Sequence, residues 1–125
     1  MFKINNDKSI YLTRGDIANI YISASLQDGT PYTFQEGDVV RFKVYKRRDC
    51  GCVELQKDVE ATAGTVETIV FLSGEETKIG EVISKPTNYW YEVELNPETN
   101  PQTIIGYDED GEKIFRLYPE GSELR

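Results

Sequence analysis

The 125-residue chain contains no histidine. That removes the side chain most used as a general base near neutral pH, the commonest transition-metal ligand and the centre of the usual nucleophilic triads. Cysteine is almost absent as well, with only Cys50 and Cys52 in the run Asp49-Cys50-Gly51-Cys52. Two thiolates there fall two ligands short of a structural zinc site and one residue short of a thioredoxin-like spacing. A disulfide across a single glycine would close a small, strained ring, so free thiols in a turn are the preferred reading. A strained redox pair, or half of a metal site shared with another subunit, are the alternatives. No apolar run approaches the roughly 18 residues of a membrane helix. The opening MFKINNDKSIYL has polar residues where a signal peptide needs its apolar centre, so none is expected. Basic charge is also short: 14 Lys and Arg face 22 Asp and Glu, a net of -8. The deficit is local, with nine basic and nine acidic residues through Glu60 but five against thirteen from Ala61 onward. An acidic second half repels phosphate backbones, so nucleic acid is not an expected partner.

What is present is alternation. From Ala18 the small or apolar residues fall on every second position, Ala18, Ile20, Ile22, Ala24 and Leu26, with Asn19, Tyr21, Ser23 and Ser25 between them. Period two marks a strand with one buried and one wet face, and Gln27-Asp28-Gly29-Thr30-Pro31 ends it with turn chemistry. Val39 to Tyr45 repeats the pattern with Val40, Phe42 and Val44 inward. Val53 to Val59, Thr65 to Leu72 and Asn88 to Leu95 follow, the fourth segment with Val66, Thr68, Val70 and Leu72 on one face. Ile10 to Thr13 reads as a short strand, and Pro31 to Phe34 as an edge segment, since proline cannot donate to a ladder. Thr103 to Tyr107 and Glu112 to Tyr118 flank Asp108-Glu109-Asp110-Gly111, which predicts a hairpin.

Helical period is missing except at Ser73-Gly74-Glu75-Glu76, where capping-box spacing predicts a turn or two near residues 73–79. A sheet needs its apolar face covered, and the only available cover is a second sheet. The expectation is an all-β, immunoglobulin-like β-sandwich with that one short helical turn, spanning 9–121. Residues 1–8 form a lead-in and 122–125 a tail. Ala18–Leu26 and Val39–Tyr45 should share one core, either paired or facing each other.

Few constellations could carry chemistry. On the strand Asn88 to Leu95, Tyr89, Tyr91, Val93 and Leu95 share one face, which leaves Trp90, Glu92 and Glu94 on the other. A tryptophan beside two carboxylates could stack and hydrogen-bond a sugar. Glu92 and Glu94 would lie ~7 Å apart, within the roughly 5 to 10 Å of glycosidase carboxylate pairs. Nothing marks either one as a proton donor. Asp108-Glu109-Asp110-Gly111-Glu112 is rich in carboxylates but lacks the loop length and flanking helices of an EF-hand, so it reads as a solvated turn. Arg14-Gly15-Asp16 spells an adhesion tripeptide, though here it is a tight connection between two strands. No nucleophile has a base, and no complete ligand set exists; the chain is expected to be no enzyme and to need no cofactor or metal.

The opening Ser9-Ile10-Tyr11-Leu12-Thr13-Arg14-Gly15-Asp16, the long alternating strand, then Asp28-Gly29-Thr30-Pro31-Tyr32 and Gln35 through Val44 together resemble a known group. They are similar to the small immunoglobulin-like domains at the N-terminus of upper baseplate proteins in tailed phages and prophages of Gram-positive bacteria. Ser73 to Lys78 stands where that family often has a short helix, Tyr89-Trp90-Tyr91-Glu92-Val93 where it has the following strand, and Ile114 to Gly121 where it has the last. The resemblance implies a structural module made in the bacterial cytoplasm and carried into the virion. Its partners would be other tail or baseplate proteins, self-association being a further option, with no nucleic acid and no membrane. The family has no catalytic residues to carry over. Cys50-Gly51-Cys52 and the acidic turn at Asp108 depart from it. The alternative reading is a carbohydrate-binding module, with Trp90, Glu92, Glu94 and the neighbouring tyrosines holding a sugar.

Overall fold

The computed structural model, which describes residues 2–4, 9–26, 28–46, 53–79, 85–106 and 113–119, has nine strands, and inward and outward side chains alternate along six of them, the second, third, fourth, sixth, seventh and ninth. These are β1 (Phe2–Ile4), β2 (Ile10–Thr13), β3 (Ala18–Ile22), β4 (Val39–Tyr45), β5 (Val53–Glu60), β6 (Thr68–Leu72), β7 (Thr87–Leu95), β8 (Gln102–Ile105) and β9 (Lys113–Tyr118). The large sheet runs β1-β2-β9-β7-β4-β5, with β8 also on β7, and the small sheet is β3 with β6. β2 and β9 are parallel; the other pairs are antiparallel. The order β9-β7-β4-β5 follows G-F-C-C′ of a variable-type immunoglobulin sheet, and β3 with β6 stands as B with E. β3 and β4, whose relation the pattern left open, therefore face each other across the core. The N-terminal lead-in contributes β1, which adds a strand to the large sheet beyond β2.

The inward rows close one hydrophobic core. Val40, Phe42 and Val44 of β4 and Phe115 and Leu117 of β9 are fully buried, opposite Ile20 and Ile22 of β3 and Val70 and Leu72 of β6. The Phe42 ring lies 5.4 Å from Tyr91 and 6.1 Å from Phe115, centroid to centroid. Phe34 plugs one end from outside any strand. Its N–H donates to Thr65 O (2.8 Å), its carbonyl accepts from Gly64 N (2.9 Å), and its side chain is fully buried. Burying one such ring contributes about 1.5–3 kcal/mol. Pro31 makes a single bridge to Ser25, so the Pro31–Phe34 segment is a bridge and a plug.

Two expectations change. Val66 lies before β6 begins and is exposed, whereas Thr68, Val70 and Leu72 keep the inward face. The strands on either side of Asp108–Gly111 do not form a hairpin with each other. β8 and β9 lie end to end along the same edge of β7, with Leu95 opposite Gln102, Val93 opposite Ile105 and Tyr91 opposite Lys113. β7 has nine residues, long enough to hold both in succession. The hairpin here is β7–β8, turned at Asn96, whose carbonyl accepts from Thr99 and Asn100.

The capping box at Ser73 forms as read: the Ser73 N–H donates to Glu76 Oε1 (2.9 Å) and the Glu76 N–H to Ser73 Oγ (3.2 Å). Two backbone turn hydrogen bonds result, from Thr77 N to Ser73 O and from Lys78 N to Glu75 O, and no helix occurs among the described residues. This turn packs on the β2–β3 connection. Arg14 is buried and its guanidinium donates to the carbonyls of Ile79 (3.4 Å) and Lys78 (3.3 Å). Thr77 Oγ1 accepts from Gly15 N (3.0 Å) and faces Asp16 O at 2.8 Å.

Candidate functional site

Strand parity places Trp90, Glu92 and Glu94 together on the outer face of β7, in the middle of the large sheet. Trp90 lies opposite Tyr45 and Ile114, Glu92 opposite Lys43, and Glu94 opposite Arg41. Trp90 is half-buried, as an aromatic flanked by strands on both sides must be. The two carboxylates already have protein partners. Lys43 Nζ lies 2.6 Å from Glu94 Oε1 and 3.3 Å from Glu92 Oε1, and the Tyr45 hydroxyl donates to Glu92 Oε1 at 2.5 Å. Burial works to lower the Lys43 pKa, but the Glu94 and Tyr45 contacts outweigh it and hold it above the ordinary lysine value. Burial, then the bond to Glu92, pushes the Tyr45 phenol up. One ammonium is therefore shared between the two glutamates on the outer face of the sheet.

Cross-strand pairing continues on either side of this row. Arg41 makes a two-pronged contact with Asp58 (2.9 and 3.0 Å) and reaches Glu98 at 2.8 Å. At the other end Arg116 donates to Asn88 Oδ1 (2.6 Å) and sits over the Tyr11 ring, which meets Tyr118 edge-on. Such pairs stabilise neighbouring strands against one another.

The outer face of the small sheet has the opposite character. Tyr21 on β3 and Ile69 on β6 are directly opposite one another, and Phe71 lies one pair along, opposite Asn19. They are 55%, 46% and 43% exposed, with Ile17, Leu26 and Val66 also exposed at the margins. Six of the seven large apolar residues exposed among the described ones therefore belong to β3, β6 and their flanks; Val53 is the seventh. Contiguous exposed apolar surface of this kind marks interaction sites. The charges on these two stretches, 15–34 and 61–79, are Asp16, Asp28, Glu67, Glu75 and Glu76 against Lys78 alone.

No family model, curated protein or solved structure matches this chain.

The structure has the strand parity read for Trp90, Glu92 and Glu94, and the sequence reading did not single out the apolar face. A signal for it was available in the parity of TVETIVFL: with Thr68, Val70 and Leu72 inward, Ile69 and Phe71 must point out. Arg14 being buried, Arg14-Gly15-Asp16 does not present an adhesion loop. Cys50, Cys52 and the acidic run Asp108–Glu112 lie outside the described residues. Among the described residues no group of three or more Cys, Asp or Glu is placed to hold a metal ion, and no helix is long and apolar enough to cross a membrane.

Proposed function

We propose that this chain is a non-enzymatic docking module of a phage or prophage tail or baseplate, binding other tail proteins through the outer face of its small sheet. The observation that carries the reading is the clustering of exposed apolar side chains, Tyr21, Ile69 and Phe71 with their neighbours, on that one face. An isolated exposed leucine needs no explanation, but a cross-strand apolar row on a chain of net charge -8 does. The resemblance across Ser9 to Gly121 supplies the tail or baseplate context. It also implies synthesis in the bacterial cytoplasm, assembly into the virion, and no nucleic-acid or membrane partner. Against a sugar site at Trp90 stands the pairing of Glu92 and Glu94 with Lys43 and Tyr45, where a sugar binder presents converging free polar groups.

The test is co-expression with the products of neighbouring tail genes, comparing the parent chain with Phe71→Ser and Ile69→Thr. Stable co-purification that both variants weaken, with Trp90→Ala neutral, is the expected result. Saturable binding on a glycan array, lost in folded Trp90→Ala, would overturn the proposal in favour of carbohydrate binding.

A further inference from the structure

The apolar row on the small sheet is bordered at both ends by charge of one sign. Ile22 pairs with Thr68, so Ser23 and Glu67 come next in line at one end, and Glu67 has the outward parity of Ile69 and Phe71. Asp28 follows in the turn after Leu26, where the Thr30 N–H and hydroxyl hold its carboxylate below the ordinary range. At the other end Ala18 pairs with Leu72, and the two strands run out to Asp16 and to the Ser73–Glu76 turn. Asp16, Asp28, Glu67 and Glu75 are all exposed.

Little on this side offsets them. Glu67 and Glu75 have no ion-pair partner among the described residues. Lys57 is held by Glu76 at 2.9 Å, and the Arg14 guanidinium is turned to the carbonyls of Lys78 and Ile79. Lys78 is the one lysine or arginine in 15–34 and 61–79.

This distribution decides against a second copy as the occupant. If two copies meet face to face with their rows antiparallel, Glu67 of each lies toward the Asp16 and Glu75 end of the other. If the rows are parallel, like ends meet and Glu67 faces Glu67. Carboxylate meets carboxylate either way, in a contact that expels water, and a net charge of -8 on each copy adds to the repulsion.

From this we infer that the outer face of the small sheet takes a different protein, one presenting an apolar patch bordered by lysine and arginine. Tyr21, Ile69 and Phe71 would form the dehydrated centre of the contact and the carboxylates its wet rim, the usual anatomy of a protein interface. Opposite charge around the rim speeds encounter and rejects wrong partners. The inference rests on the docking reading and adds the partner's chemistry to it.

The probe is the tail protein captured by the proposed co-expression, titrated against the purified chain. Affinity should fall about tenfold or more in Glu67→Lys and in Glu75→Lys. It should fall likewise when ionic strength rises from about 0.1 to about 1 M, which shortens the screening length from about 10 to about 3 Å. Glu98→Lys makes the same charge change on the large sheet, beside Arg41, and should bind as the parent does. Sedimentation of the chain alone should give a monomer. Circular dichroism and thermal melting establish that each variant is folded, and either rim variant alone suffices. Binding that Phe71→Ser weakens but that salt and both rim variants leave unchanged would overturn the inference, as would an equal loss in Glu98→Lys; both results leave the docking reading standing. A concentration-dependent dimer of the parent, lost in Phe71→Ser, would also overturn it, in favour of a second copy. Absence of any capture that depends on Phe71 and Ile69 would remove the inference and the docking reading together.

Discussion

Thr77 joins two turns that lie far apart in sequence. Its side chain is fully buried and accepts the Gly15 N–H, while beside it Gly74 approaches so closely that an added Cβ would lie 2.7 Å from the Gly15 carbonyl oxygen. Thr77→Val keeps the shape but strands the Gly15 donor, and should cost about 1–3 kcal/mol. Gly74→Ala forces one backbone against another and should cost a similar ~1–3 kcal/mol. Urea denaturation of both variants measures this; wild-type midpoints would show that the two turns do not depend on each other. The capping box half of this junction was legible, because Ser73 and Glu76 are three residues apart. Arg14 was not, because its carbonyl partners lie 64 and 65 residues away and nothing local announces them. The outward Trp90, Glu92 and Glu94 followed from parity alone. That their carboxylates would be held by Lys43 and Tyr45 required knowing which strand lies beside β7.

Between elements, Asp38 is the main polar knot. It precedes β4, is buried, and accepts from the Tyr32 hydroxyl (2.7 Å), the Gln35 N–H (2.8 Å) and Asn96 Nδ2 (2.9 Å). Asn96 sits at the end of β7 with a φ of 50°, a conformation asparagine tolerates better than most residues, and its Oδ1 accepts from Val39 N–H. Burial pushes the Asp38 carboxyl up, but the donors from Asn96, Gln35 and Tyr32 outweigh it and hold it below the usual carboxylate range. Asp58 beside Arg41, and Glu76 at the Ser73 N–H, shift the same way. In the unfolded chain an aspartate titrates near ~3.9. Between that value and the lower folded one the unfolded chain binds more protons, so this stability is full above the unfolded value and is lost as pH falls through the folded one. The Tyr32 phenol is raised by the same bond to Asp38. Its contribution is therefore present below the ordinary tyrosine value of about 10 and lost as pH rises through the folded one. Asp38→Asn should cost about 1–3 kcal/mol at neutral pH and flatten the acid side of the stability profile. Melting curves across the pH range check this, and an acid limb identical to the parent's would contradict it. At this scale the strands were legible from period two, but pairing was not. Asp110-Gly111 is a strong local hairpin signal, yet β8 and β9 both satisfy their backbone on β7, because pairing is decided by which edge is free and which face must be covered.

At the scale of the whole molecule the two outer faces differ in character. The large sheet pairs charged and aromatic side chains across its own strands on its outer face; the small sheet leaves an apolar row exposed, and among the described residues it has only two strands. The sandwich class was legible, since six alternating segments and no helical period leave few other ways to bury the apolar faces. The asymmetry between the sheets was not, because it depends on five strands besides β1 and β8 gathering in one sheet and only two in the other. Amide hydrogen exchange on the chain alone, and again in complex with a tail protein captured by the proposed co-expression, tests the docking account most directly. The account predicts slowed exchange on complex formation concentrated in residues 17–26 and 66–72. Exchange unchanged there, with protection confined to the Trp90 strand at residues 88–94, would contradict it.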